Sequence, residues 1–279
     1  MKFTIYHHND FDGIAGASIF AKFLSLKDNL PFSQFEFIAV DYDIKNDWIS
    51  KNLNHPCAII DFLYHPGSDW WFDHHESTFL NNAFYLKSYK HSLKKHWDTK
   101  FLSCPSLILA HFEKYYKKYA ILFKKEYKEL INWSDKIDGA TYSSPEEIYG
   151  SGNPFININK TLAINRTQKY FQLIIAALFE NNLDLILKSK IYNTTFRKSE
   201  IKERKAVNMI RKIIQVDGAI AYFDQSKFDL PFQRYLAYYL FPGILYRVAV
   251  YKKEDKYSVS VNYNNWSAKK NKNKPGGAL

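Results

Sequence analysis

The stretch WFDHHESTF, residues 71–79, ends an apolar run in an aspartate and two adjacent histidines, Asp73, His74 and His75. Similar polar groups follow the earlier apolar runs. His8, Asp10 and Asp12 come after KFTIY (2–6), Asp41 and Asp43 after FEFIAV (35–40), and Asp61 closes CAIID (57–61). Each piece alone has an ordinary explanation, since Asp12-Gly13 suits a turn or helix start and a strand-end Asp suits a turn. Together, and in this order, they point to one site. Carboxylates crowded at one place repel each other and become tolerable around a divalent cation. Asp and His donors without Cys suit Mn²⁺ or Mg²⁺, and also Fe²⁺ or Co²⁺, better than structural zinc. Two such ions about 3.5–4 Å apart would clamp a phosphoryl group for displacement by water, and a nearby His could protonate the leaving oxygen.

These residues need elements that bring them together. KFTIY, FEFIAV, CAIID and DWWFD (69–73) read as short buried strands, and the stretch 14–26 as a helix between the first two. Strands separated by helices or short connections predict an α/β domain with a mostly parallel sheet. In such a sheet the carboxyl ends of the strands share one edge, where ligand sites form. Helices are predicted over 106–119, 124–136 and 170–181, with an irregular connection over 143–166. The segment FRKSEIKERKAVNMIRKI reads as a long charged connecting helix, and strands are predicted at 219–223, 245–252 and 257–263 with a helix around 232–241. The expected division is a catalytic domain over 1–185, a helical linker over 186–214 and a smaller α+β domain over 215–279.

The 279 residues suit two domains. A net charge of +11 favours anionic partners such as nucleotides. Two cysteines, Cys57 and Cys104, without a CxxC exclude a thiolate zinc cage and a disulfide framework, and are expected as free buried thiols. No leader or membrane-spanning run is present in the sequence, which predicts a cytoplasmic protein without a membrane partner. A homodimer is compatible with the sequence.

The order His8-Asn9-Asp10-Phe11-Asp12-Gly13, then Ile59-Ile60-Asp61, then Asp73-His74-His75, then Asp138-Gly139-Ala140-Thr141-Tyr142-Ser143-Ser144-Pro145 resembles the DHH phosphoesterase family. The resemblance covers roughly residues 1–150 and implies a two-metal, usually Mn²⁺-dependent phosphohydrolase, with Mg²⁺ or Co²⁺ as alternatives. It implies that His8 and Asp10 hold one metal, that Asp12, His74 and Asp138 hold the other, and that Asp61 bridges them. His75 would face the substrate phosphate as electrophile or general acid, and Asp73 would orient the histidines. His7 competes with His8, because alternation along a strand lets only one point inward. Asp135 competes with Asp138, and Asp41 and Asp43 with Asp61.

The second unit resembles the substrate-binding domain that often follows DHH domains, with the active site in the cleft between the two. That domain usually ends in a glycine-rich motif with a His. Here Gly276 and Gly277 stand without that His, so the domain is read as incomplete. Arg234 and Arg247, set among tyrosines, are further candidates for substrate contact. Pyrophosphatases of the family follow DHH with a basic residue, whereas Glu76 follows here. The expected substrate is a short oligonucleotide or dinucleotide. The alternatives are a cyclic dinucleotide or nucleotide phosphate, or a regulatory relative impaired by the missing His.

Overall fold

The computed structural model describes residues 2–150, 152–228, 234–253 and 256–267. In chain order the elements are β1 (Phe3–His8), α1 (Phe11–Asp28), β2 (Phe35–Val40), β3 (Cys57–Ile60), β4 (Trp70–Asp73), α2 (Ala83–Ser88) and β5 (Lys95–Trp97). Helices α3 (Cys104–Tyr115), α4 (Lys117–Glu126), α5 (Lys128–Asp138), α6 (Glu146–Tyr149), α7 (Pro154–Leu162), α8 (Gln168–Phe179), α9 (Asp184–Leu187) and α10 (Lys190–Ile213) follow. The last described elements are β6 (Gln215–Asp217), β7 (Ile220–Asp224), α11 (Leu236–Leu240), β8 (Tyr246–Lys253) and β9 (Lys256–Tyr263). None of the described helices is long and apolar enough to cross a membrane.

Two compact units result. Met1–Thr141 with Pro154–Phe196 form one, and Tyr142–Asn153 with Arg197–Leu279 the other. The first is built on a parallel sheet in the order β2-β1-β3-β4-β5. β3 and β4 are buried at every residue, as expected for strands covered on both faces. Alternate side chains feed two cores. Ile5, Ala58, Ile60, Trp70 and Phe72 pack with α1, α3 and α8 on one face, and Tyr6, Cys57, Ile59 and Trp71 pack around Trp48, Phe62 and Phe79 on the other. Helix α1 is enclosed on all sides, with Ile14, Ala15, Ala17, Ile19, Phe20 and Phe23 buried, so it reads as apolar all round and not as a stripe. Its Gly16 lies so close to β3 that a Cβ there would be 2.7 Å from Ile60 Cγ2.

The second unit carries the sheet β6-β7-β8-β9, parallel between β7 and β8 and antiparallel elsewhere. Ala206 and Ile210 of α10 and Leu236, Ala237 and Tyr238 of α11 pack on Ala221, Phe223 and Ala249.

Two sequence expectations need correction. The stretch 143–166 is not one irregular connection, because it holds α6 and α7. Pro154 opens α7, where its missing N–H costs nothing. The strand β5 is only three residues long and was not expected.

Candidate metal centre

The carboxyl edge of the first sheet gathers the donors. β1 ends at His8, and Asp10 caps α1 by accepting a hydrogen bond from Gly13 N at 3.0 Å. This tight turn needs glycine at 13, since a Cβ would lie 2.4 Å from the His8 carbonyl oxygen. Asp12, in the first turn of α1, is buried, and its Oδ2 accepts from Cys104 N at the start of α3, 2.7 Å away. β3 delivers Asp61, which is fully buried and has φ +58°. Asp tolerates this left-handed backbone better than most residues, and strain of this kind persists where the surroundings fix it.

β4 ends at Asp73. Its Oδ1 accepts from His74 N at 2.9 Å and pairs with His75 Nδ1 at 2.8 Å. His74 places Nδ1 3.0 Å from the Phe101 carbonyl, so that nitrogen donates and Nε2 is left as the ligand atom. That Nε2 stands 3.3 Å from Asp12 Oδ2, 3.4 Å from Asp61 Oδ1 and 3.5 Å from Asp138 Oδ2. Asp138 comes from the C-terminal end of α5.

Three overlapping donor groups emerge, each with ligand atoms within 4.8 Å of one another. His8, Asp10 and Asp61 form one set, Asp12, His74 and Asp138 a second, and Asp61, His74 and His75 lie between them. Asp61 joins them, with Oδ2 3.8 Å from His8 Nδ1 and Oδ1 3.4 Å from His74 Nε2. Both its oxygens, Asp12 Oδ1 and His74 Nε2 are buried without a hydrogen-bond partner among the described residues. Buried polar atoms are almost always satisfied, so this convergence of orphaned donors fits a cation.

The electrostatics agree. Burial works against a charged His8, but its pairing with Asp10 and Asp61 overcomes this and pushes its pKa up to about 11. Burial likewise opposes charge on His74, yet Asp12 and Asp61 raise it to about 12. Burial tends to raise the Asp61 carboxyl, but His74 and His8 hold it well below the usual range. Burial and then the charge of Asp61 push Asp12 up strongly, and push Asp138 to about 6. The pocket thus demands positive charge. Its Asp and His donors suit a hard or borderline divalent ion.

The competing residues separate clearly. His7 is enclosed, with Nδ1 2.8 Å from the His8 carbonyl oxygen and its ring edge-on to Phe171, and burial lowers its pKa to about 4. It stays outside the cluster because alternation turns it to the other sheet face. Asp135 Oδ1 accepts from the Ser103 and Ser106 hydroxyls, 2.5 Å each, and so fastens the start of α3. Asp41 lies at the rim, 3.9 Å from His8 Nε2, and binds Asn9 Nδ2 at 2.7 Å and Arg166 Nη1 at 3.3 Å. Asp43 is exposed. Arg166 and Asn9 were missed in the sequence; Arg166 pairs with a residue 125 positions away, and nothing local signals that.

Arg247 and Arg234 lie in different surroundings. Arg247 is fully buried, and its Nη2 bonds Ser260 Oγ at 2.7 Å and Asn262 Oδ1. It faces inward on β8, where the polar groups of β9 receive it. Arg234 is exposed, with its guanidinium over the Tyr235 ring. Gly276 and Gly277 lie outside the described residues.

No protein-family model and no curated protein matches the sequence. Solved structures do match. The chain is similar to a pGpG-specific phosphodiesterase from Vibrio cholerae, with TM-score 0.70 and 14% identity over 95% of this chain and 84% of that one. It is also similar to the DHH domain of a member of a ribosomal-protein family, with TM-score 0.51 and 12% identity over 96% of this chain and 75% of that one. With the strand-end donors and this sheet order, the likeness gives the conclusion that the chain has the DHH phosphoesterase fold.

Proposed function

We propose that the protein is a divalent-metal-dependent phosphodiesterase that hydrolyses short linear nucleotides, down to dinucleotides. One observation carries the reading: the two oxygens of buried Asp61 face two separate donor sets and lack hydrogen-bond partners among the described residues. His8, Asp10 and Asp61 would hold one ion, and Asp12, Asp61, His74 and Asp138 the other. Mn²⁺ suits this set, and such ions supply water activation and charge neutralisation at phosphate.

The chain's own groups do the rest. Asp73 holds His75 by Nδ1, so Nε2 of this half-buried ring is left to meet substrate. Burial opposes its charge, but Asp73 lifts the His75 pKa to about 9. In the metal-free chain the imidazole therefore carries a proton near neutral pH, which suits it to protonate the leaving oxygen. Cys104 N and the Phe101 carbonyl fix Asp12 and His74 and so preorganise the donors before substrate arrives. The preference for a short linear substrate is supported by the dinucleotide named for the Vibrio cholerae phosphodiesterase.

A hydrolysis panel with Mn²⁺ against a metal-free control tests the proposal. It contains a linear dinucleotide, a 5-mer, a long single strand, a cyclic dinucleotide and pyrophosphate. Mn²⁺-dependent release of mononucleotides, fastest from the short linear substrates, is expected. Preference for pyrophosphate or the cyclic compound, or inactivity with Mn²⁺ shown to bind, would overturn it.

A further inference from the structure

Among the described residues one further donor cluster lies away from the centre just described. It is made of His55, Cys57 and Asp69, whose ligand atoms lie within 4.8 Å of one another. Strand pairing builds it. β3 and β4 run parallel with Ala58 opposite Trp70, so the residues just before these partners, Cys57 and Asp69, stand side by side. Cys57 N donates to Asp69 Oδ2 at 2.8 Å. His55, two residues upstream, puts Nδ1 2.9 Å from the same Oδ2 and 3.7 Å from Cys57 Sγ.

We propose that His55, Cys57 and Asp69 form a second cation site, selective for zinc, at the amino edge of the sheet. Thiolate, imidazole and carboxylate are the three protein donors zinc takes. At ordinary bond lengths in a tetrahedron, nitrogen and sulfur ligands sit about 3.5 Å apart, close to the separation seen here. Cys57 is buried while the side chains of His55 and Asp69 are 50% and 40% exposed. The ion would therefore rest on the thiol from the solvent side, with water in the fourth position. On binding, the S–H bond of Cys57 breaks, a zinc–sulfur bond forms and one proton leaves to solvent. Burial raises the Cys57 thiol pKa, which makes that proton release measurable. Lys94 and Lys95 also act on Asp69, so the ion competes with two lysine charges for that carboxylate.

The site differs from the main centre in place and chemistry. Asp61 follows Cys57 by four residues of strand, about 13 Å away, and the main centre uses no sulfur. Zinc here would tie together the starts of β3 and β4, a structural role distinct from hydrolysis.

Cobalt titration separates the two sites, because cobalt bound to a thiolate gives a near-ultraviolet charge-transfer band that Asp and His ligands do not. With Mn²⁺ saturating, the wild-type chain should develop this band at one equivalent of Co²⁺, and zinc should abolish it. Asp61→Asn should keep the band. Cys57→Ser should lose it, and His55→Ala, a change at an exposed side chain, should weaken cobalt binding at least about tenfold. Absence of the band in the wild type, its loss in Asp61→Asn, or its survival unweakened in either Cys57→Ser or His55→Ala would overturn the proposal.

Discussion

Replacing Asp61 with Asn tests the centre at the residue both donor sets share. Asn has the same shape and tolerates the φ of +58°, so backbone strain does not enter. Without added metal, the carboxylate lies 3.4 Å from His74 and 3.8 Å from His8. At an effective dielectric near 20, each contact amounts to about 4–5 kcal/mol. The two contacts together amount to about 9 kcal/mol; burying the carboxylate costs several kcal/mol and offsets part of that, so the metal-free variant should lose about 3–5 kcal/mol of stability, as when one partner of a buried ion pair is removed. Metal should behave differently. Mn²⁺ at about 100 times Kd stabilises by about 2.7 kcal/mol per site. At about 2–4 °C per kcal/mol for a domain near this size, two sites raise Tm by about 10–20 °C. Losing a group that only supports a ligand already weakens metal binding about 10–100-fold. Losing the shared ligand should therefore leave both sites near half-occupancy at the same concentration, with a Tm rise of about 3 °C or less. A thermal-shift titration reads this, and Mn²⁺-dependent turnover should fall by more than about 100-fold in parallel. A variant that keeps the wild-type Mn²⁺ shift would refute the bridging role.

Gly13→Ala should destabilise the chain by about 1–3 kcal/mol through overpacking and weaken Mn²⁺ binding, because its Cβ would meet the His8 carbonyl oxygen at 2.4 Å; an unchanged metal response by calorimetry would count against the tight turn. Asp135→Asn should lower stability by about 1–3 kcal/mol through its two serine hydroxyls yet leave the Mn²⁺-induced Tm shift intact, whereas Asp138→Asn should shrink that shift; the reverse pattern would exchange their roles. His111 donates Nε2 to the Leu93 carbonyl, and burial lowers its pKa to about 4. Its folded pKa lies below the unfolded one, so its stabilising contribution is complete above about pH 6.5 and is lost as pH falls towards 4. His111→Gln should flatten the Tm profile in that window, and an equally steep acid loss would reject the assignment.

The centre was legible because its residues are of scarce types and sit at strand ends, where periodicity gives the end of each run. The choice between His7 and His8 was not legible, since alternation separates two neighbours without saying which face carries the site. Asp135 and Asp138 both lie in the last turn of one helix, and only the position of Ser103 and Ser106 at the start of α3 distinguishes them. The helix α7 is hidden by Pro154, since proline breaks helix interiors yet is also at home in a first helical turn. A three-residue strand such as β5 carries too little pattern to stand out. Arg247 reads as exposed by type, and its burial depends on Ser260 and Asn262 on a neighbouring strand. The cluster at Cys57 escaped for a similar reason, because its carboxylate arrives from the next strand 12 residues later.

The parallel sheet acts as a ruler for the centre. His8, Asp61 and His74 end or follow β1, β3 and β4, which are consecutive neighbours in the sheet, and hydrogen bonding holds such strands about 4.8 Å apart. The spacing of the donors is therefore inherited from backbone pairing and owes little to the side chains themselves. Ligands exchanged at these three positions would change which ion is preferred while the distance between binding points stayed the same, which makes this strand edge a ready frame for re-engineering metal selectivity.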